Sequence, residues 1–127
     1  MSGAPLQAAK AAKHDLGKYV AFQLRWLAPD ASPAELLDAL RADVLQTRRG
    51  PDGIESAPEL WDRLRPPLAA LGPDPDLQAV DRAVAALAAA APAIADGSID
   101  APAMQAAADH ARAVAKHLAA LVKRLRS

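Results

Sequence analysis

The stretch from residue 100 to residue 126, DAPAMQAAADHARAVAKHLAALVKRLR, carries the clearest helical pattern in the chain. Its apolar residues recur every three or four positions, so a helix would place them all on one side. They are Met104, Ala107, Ala111, Val114, Leu118, Leu121 and Leu125, flanked by Ala108, Ala115 and Val122. Asp100 and Pro102 suit the N-cap and first turn of such a helix. We therefore expect a helix over residues 101–126 whose apolar side is buried in a core.

Four more helices are predicted from similar patterns and from the capping signals at their ends. The expected ranges are residues 5–28, 33–49, 57–71 and 75–95. Ser32 and Glu35 form the pattern of a capping box around Pro33, and Asp74 precedes a proline in the same way. The pair Pro66-Pro67 removes backbone donors, so it should kink or split the third helix.

The way these helices are joined indicates the fold class. The connections are short, which favours antiparallel packing of sequential helices. Residues 47–56, TRRGPDGIES, form the one long loop, and no segment shows the alternation of a half-buried strand. The chain contains 34 alanines, whose small side chains let helices approach closely. The sequence predicts an all-α fold, an antiparallel bundle of four to five helices in a single domain over residues 1–127.

Composition bounds the possible functions and locations. The formal net charge is zero, which argues against a nucleic-acid partner, and the absence of cysteine excludes disulfides and thiolate chemistry. The N-terminus lacks the apolar core of a signal peptide, and the run Ala83 to Ala95 is too short and weakly apolar to span a bilayer. We expect a cytoplasmic protein without a membrane partner, and the richness in Ala, Arg, Pro and Gly suggests a bacterial source.

The segment KHDLGKY, residues 13–19, holds the candidate for chemistry, which is His14. On a helical wheel of ~100° per residue, His14 falls roughly 150° from the middle of the apolar side. That apolar side comprises Ala9, Ala12, Leu16, Val20, Gln23 and Leu27, with Leu6, Leu24, Tyr19 and Trp26 along its edges. Lys10, Lys18 and Arg25 share the outer side with His14. The sequence predicts a solvent-exposed imidazole among cations that would attract an anion.

Two neighbours of His14 bear on what it can do. Gly17 lies one turn further on, where a glycine costs about 0.5–1 kcal/mol relative to alanine, so it suggests a need for clearance. Asp15 adjoins His14, but consecutive helical residues do not face each other, so it could reach the ring only through a suitable rotamer or a water. Phosphoryl transfer to histidine requires an exposed imidazole, a neighbouring backbone without bulky side chains, and positive charge nearby.

These residues resemble two related families. The motif HDL is similar to the H-box of the dimerisation and phosphotransfer helices of sensor kinases, and HDLGK resembles the histidine-containing phosphotransfer (HPt) domains. The resemblance implies that His14 accepts the phosphoryl group and that Asp15 is its acid/base neighbour. It further implies that Gly17 leaves room for the phosphoryl group and that Lys18 offsets its charge. The expected partner is the receiver domain of a response regulator, whose aspartate exchanges the phosphoryl group with His14.

Several alternatives stay open. Phe22 and Arg25 flank the same side and could contact a partner, although another helix could instead cover Phe22. His14 could be an ordinary solvated histidine, and the protein a non-catalytic adaptor or dimerisation module, including a homodimer. No ATP-binding kinase domain fits in the chain, so no autonomous kinase activity is expected. His110 and His117 lie about 10 Å apart along a helix, too far to share a metal, so neither a metal nor a cofactor is expected.

Overall fold

The computed structural model describes residues 3–127, and helices account for most of them, which confirms the predicted all-α character. The α-helices are α1 (Ala4–Ala12), α2 (Phe22–Trp26), α3 (Pro33–Leu40), α4 (Ala57–Leu64), α5 (Pro75–Asp96) and α6 (Ala101–Arg126). Two π-helical turns, Lys13–Gly17 and Arg41–Leu45, continue α1 and α3, and a 3₁₀ helix, Pro66–Leu71, follows α4.

The two long helices α5 and α6 provide the framework on which the other elements pack. Met104, Val114, Leu118 and Leu121 are all buried on α6, as their spacing predicts. The same helix contacts α1 and the π turn that follows it. The buried side chains form one contiguous cluster, in which many alanines bring the backbones close together.

The chain from residue 5 to residue 28 is not one continuous helix, so that prediction is wrong. After α1 the backbone widens into the π turn, where the Lys18 amide donates to the carbonyl of Lys13 at 2.9 Å. The helix then breaks at Ala21, with φ −130° and ψ 25°, before α2 begins. Because a π turn and a break both shift the helical phase, the helical wheel misplaces some of the residues beyond them. Leu24 is buried there, whereas Gln23 and Trp26 are exposed.

Asp43, which is 2% exposed, stabilises this break from the π turn after α3. Its two carboxylate oxygens accept hydrogen bonds from the backbone amides of Gln23 and Leu24, at 2.9 and 2.8 Å. The first amides of a helix have no partner within it, so an acidic side chain from elsewhere can serve as the cap. Burial raises the pKa of Asp43, and the bonds from Leu24 and Gln23 oppose that shift.

The predicted loop 47–56 contains a small antiparallel hairpin, which corrects the expectation that the chain has no strands. Strands β1 (Arg48–Gly50) and β2 (Gly53–Glu55) pair Arg48 with Glu55 and Gly50 with Gly53. Strands of three residues are too short to show an alternating pattern in the sequence. Arg48 is thereby held on a defined strand rather than in the last turn of a helix, because α3 and its π turn end at Leu45.

The helix starts follow the capping signals. Ser32 and Glu35 form a complete capping box, as do Ser56 and Glu59. Asp74 and Asp100 each accept a bond from a backbone amide in the first turn of their helices. The Pro66-Pro67 pair splits the third predicted helix into α4 and the 3₁₀ helix, as expected.

Helix α5 has the length and composition of a membrane span. Its 22 residues contain an 18-residue window with a mean hydropathy of 1.3, of which 33% is buried. It is the one such helix among residues 3–127, and core helices of soluble proteins meet the same criterion. The helix is longer than the alanine run Ala83 to Ala95 on which the sequence prediction rested.

Candidate functional site

His14 lies in the π turn after α1 with 65% of its side chain exposed. Its Nδ1 atom is 2.9 Å from the Oδ1 atom of Asp15. Within the described part of the chain the ring has no other hydrogen-bond or ion-pair partner. A carboxylate only accepts hydrogen bonds, so we assign the imidazole proton to Nδ1. The assignment leaves the lone pair of Nε2 available on the solvent side.

Asp15 contacts the ring directly, even though adjacent residues of a regular helix diverge. Its carboxylate is also 3.6 Å from the Arg48 guanidinium, which contacts the same Oδ1 atom that faces His14. Strand β1 therefore brings a cation behind the His14–Asp15 pair. A guanidinium at this distance restricts the orientation of the carboxylate.

A groove of about 520 Å³ opens beside His14, between the α1–α2 region and α6. Its lining residues are Lys10, Lys13, His14, Gly17, Lys18, Arg25, Ala115, Ala119, Val122 and Arg126. No carboxylate is among them in the part of the chain that the structure describes. A protein with zero net charge thus collects five permanent cations around one concavity, where their fields add.

Three of the other predicted site residues, Gly17, Lys18 and Arg25, line this groove. Lys18 is exposed, with its ammonium 5.5 Å from the centre of the Tyr19 ring, and Arg25 is exposed on α2. Gly17 lines the groove but is itself buried, because α6 places Leu118 against it. Phe22 is 40% exposed and is not among the residues that line the groove. The structure therefore brings His14, Asp15, Gly17, Lys18 and Arg25 together.

Several groove residues could not be found from the pattern of one helix. Lys13 neighbours His14 in sequence and lines the groove at the first residue of the π turn. Arg126 and the alanines of α6 join the site only through the packing of α6 beside α1. The basic last turn of α6 was the one available signal, and the helix dipole already accounts for it.

A second histidine–carboxylate pair lies outside the groove. His117 on α6 has its Nδ1 atom 2.9 Å from Oδ1 of Asp76, at the start of α5. Arg124 joins the same cluster, with contacts of 2.6 Å to Asp74 and 3.1 Å to Asp76. The hydrogen bond from His117, followed by the contacts with Arg124, lowers the pKa of Asp76 below its ordinary value of 3.8.

Metal ligands do not cluster in the described residues. No group of three or more His, Cys, Asp or Glu side chains between residues 3 and 127 is arranged to hold an ion. The charged residues that line the groove beside His14 are cations, which suit an anionic ligand rather than a metal.

Comparisons of the chain with protein-family models, with curated proteins and with solved structures find no match.

Proposed function

We propose that this protein is a histidine-containing phosphotransfer module that exchanges a phosphoryl group between His14 and the aspartate of a receiver domain. The observation that carries the proposal is an exposed imidazole, held at Nδ1 by Asp15, on the wall of a groove lined by cations. Gly17, Lys18 and Arg25 line the same groove as His14, which supports the proposal. The proposal gives the module no kinase activity of its own and no cofactor.

The proposed transfer needs three contributions. The Nε2 lone pair of His14 attacks the phosphorus of the receiver's aspartyl phosphate, and the bond between phosphorus and the aspartate oxygen breaks as the carboxylate leaves. The imidazole becomes cationic as the N–P bond forms. Its other proton stays on Nδ1, and the Asp15 carboxylate stabilises the positive charge through that hydrogen bond. Lys18 and Lys13 offset the charge on the phosphoryl oxygens. In the reverse direction the same groups act on phosphohistidine.

An all-helical scaffold suits this role because it can hold one imidazole at a rigid surface. We propose that the helices form an antiparallel bundle. The ion pairs of Arg124, near the end of α6, with Asp74 and Asp76, at the start of α5, support an antiparallel pairing of these two helices. In this proposal the module works in the bacterial cytoplasm, with a response regulator as its partner and no nucleic acid or membrane bound.

Incubation with phosphorylated receiver domains tests the function. Wild-type protein should acquire a phosphate that is labile in acid and stable in base, whereas His14→Gln should acquire none. The His117→Gln variant is the matched control, because it loses an imidazole with the same kind of carboxylate partner. Absence of label on the wild type across a broad receiver panel would overturn the proposal.

A non-catalytic adaptor or dimerisation module is the second candidate. The observation that favours it is the exposure of two aromatic side chains one turn apart on α2, Trp26 at 72% and Phe22 at 40%. Exposed aromatics of this kind often anchor protein interfaces. Sedimentation of the wild type and of Trp26→Ala tests for a homodimer. A wild-type dimer that the Trp26→Ala substitution dissociates would support this candidate. A monomeric wild type would exclude the homodimer.

A further inference from the structure

We propose that the groove beside His14 is a binding site for a small organic phosphate that carries a short aliphatic chain. The inference rests on a cationic rim and an aliphatic floor that share one concavity. Binding of this kind needs only the groove, so it does not depend on phosphoryl transfer through His14.

The rim provides the charge for the phosphate. Lys10, Lys13, Lys18 and Arg25 lie along one side of the groove, and Arg126 approaches from α6. With no carboxylate among the described lining residues, a phosphate dianion would meet positive charge from both walls. The contact of Lys18 with the Tyr19 ring limits the directions in which that ammonium can point.

The floor provides the apolar surface. Ala115 and Ala119 follow one another at helical spacing on the side of α6 that faces the groove, and the buried Val122 lies at its base. Their methyl groups offer neither hydrogen-bond donors nor acceptors. Burying an alkyl chain on such a surface strengthens binding by about two- to fourfold for each methylene removed from water.

The size and chemistry of the groove narrow the ligand class. Its volume of about 520 Å³ is that of a small-molecule site, so inorganic phosphate alone would leave the floor empty. The described lining has no amide or hydroxyl side chain that could read the edge of a nucleobase. An aliphatic chain therefore fits the floor better than a nucleoside does.

The proposal is tested by titrating methyl, butyl and hexyl phosphate into the protein and following binding by calorimetry and by the amide resonances of α6. The dissociation constant should fall with each added methylene, and hexyl phosphate should bind at least about tenfold more tightly than methyl phosphate. Hexanol, which lacks the charge, should not bind measurably, and adenosine monophosphate should bind more weakly than hexyl phosphate. Equal affinity across the alkyl series, no binding of hexyl phosphate, or tighter binding of the nucleotide would overturn the proposal.

Variants locate the site. Replacing Lys18 and Arg126 together with alanine should weaken all three phosphates at least tenfold, whereas the double alanine variant at Lys116 and Lys123, which are exposed outside the groove, should not. Ala119→Leu, at an exposed position of the floor, should weaken hexyl phosphate and spare methyl phosphate. Equal effects of the two double variants would overturn the assignment. Hexyl phosphate binding is measured without a receiver domain, so a protein that binds hexyl phosphate but acquires no label, or the reverse, tells a failure of phosphoryl transfer from a failure of the groove.

Discussion

His14 and His117 form the same local pair in two different surroundings. Each has its Nδ1 atom 2.9 Å from a carboxylate oxygen. His14 is 65% exposed beside a groove of cations, while His117 is 29% exposed between α5 and α6. The carboxylate of His117 belongs to a cluster with a second acid, Asp74, and with Arg124.

In the proposed function, the charges around each hydrogen-bonded imidazole give the two histidines different roles. His117 is the less exposed ring, and its carboxylate partner Asp76 also pairs with Arg124, whereas His14 is exposed on the wall of a groove that Lys13 and Lys18 line. The His117 cluster instead joins the end of one long helix to the start of the other. We expect His14 to serve chemistry and His117 to serve stability.

The first prediction compares substitution of each of the two histidines. His14→Gln should abolish labelling by phosphorylated receivers, and His117→Gln should leave more than half of the wild-type rate. The physical reason is that Nε2 is the attacking atom at only one of the two sites. Acid-labile phosphate measured on both variants decides between them, and label surviving in His14→Gln would contradict the assignment.

The second prediction concerns the carboxylate behind His14. Asp15→Asn should lower the transfer rate about 10- to 100-fold, because an amide can offer its NH₂ group to Nδ1 and so favour the tautomer with the proton on Nε2. The ¹⁵N chemical shifts of the His14 ring report this tautomer directly.

Arg48→Ala should lower the transfer rate by only a few fold, because a cation 3.6 Å from Asp15 restrains its carboxylate. Arg48→Lys should recover part of that rate. An unchanged tautomer population and rate in Asp15→Asn would show that the carboxylate has no part in the reaction.

The third prediction concerns the cations of the groove. Lys18→Ala should lower the transfer rate about five- to tenfold, as expected for the loss of about 1 kcal/mol from one exposed charge. Raising the salt concentration should shrink this difference. Lys123→Ala, at the end of α6 but outside the groove, is the control and should be within twofold of wild type. Equal rates for the two variants would mean that net charge, not its position, matters.

The fourth prediction tests the structural role of the other pair by pH. The pKa of folded Asp76 is lowered, so the folded state holds that proton less tightly than the unfolded state does. Its contribution to stability is therefore present above about pH 3.8, the ordinary value, and is lost as the pH falls through the lowered value.

Asp76→Asn should cost about 1 kcal/mol in the free energy of unfolding at pH 6, and less at pH 2. Denaturant unfolding at both pH values measures the difference. A cost that is the same at both values would contradict the sign of the shift.

Structural features that depend on neighbouring residues could be predicted from the sequence, whereas contacts between distant segments could not. The buried side of α6 and the caps at Ser32 and Asp74 depend on nearby residues, so they could be predicted. The exposure of His14 could also be predicted, since it depends on the turn before the helix breaks. The break itself depends on Asp43, some twenty residues away in sequence, which no helical wheel includes.

The surroundings of His14 were only half predictable for the same reason. Lys10, Lys18 and Arg25 lie on its own segment and could be assigned to its side. Arg48 reaches Asp15 through a hairpin whose strands are too short to recognise, and the groove exists only because α6 packs beside α1. Contacts between distant segments are decided by the fit of whole elements, which a local pattern does not contain.

The last prediction concerns Gly17, which connects the two regions because it packs against Leu118, the residue next to His117. A methyl group added at Gly17 would lie 3.5 Å from Cδ1 and 3.6 Å from Cβ of Leu118, which is ordinary van der Waals contact. Packing therefore does not demand a glycine, and Gly17→Ala should stabilise the fold by about 0.5–1 kcal/mol through the lower backbone entropy of the unfolded chain. The midpoint of denaturant unfolding measures this, and Ala11→Gly, at an exposed position of α1, should shift it the opposite way by a similar amount. If the glycine serves clearance for a phosphoryl group on His14, Gly17→Ala should be more stable yet transfer phosphate more slowly. A variant that is less stable than wild type would instead show that Gly17 is required for the approach of α6.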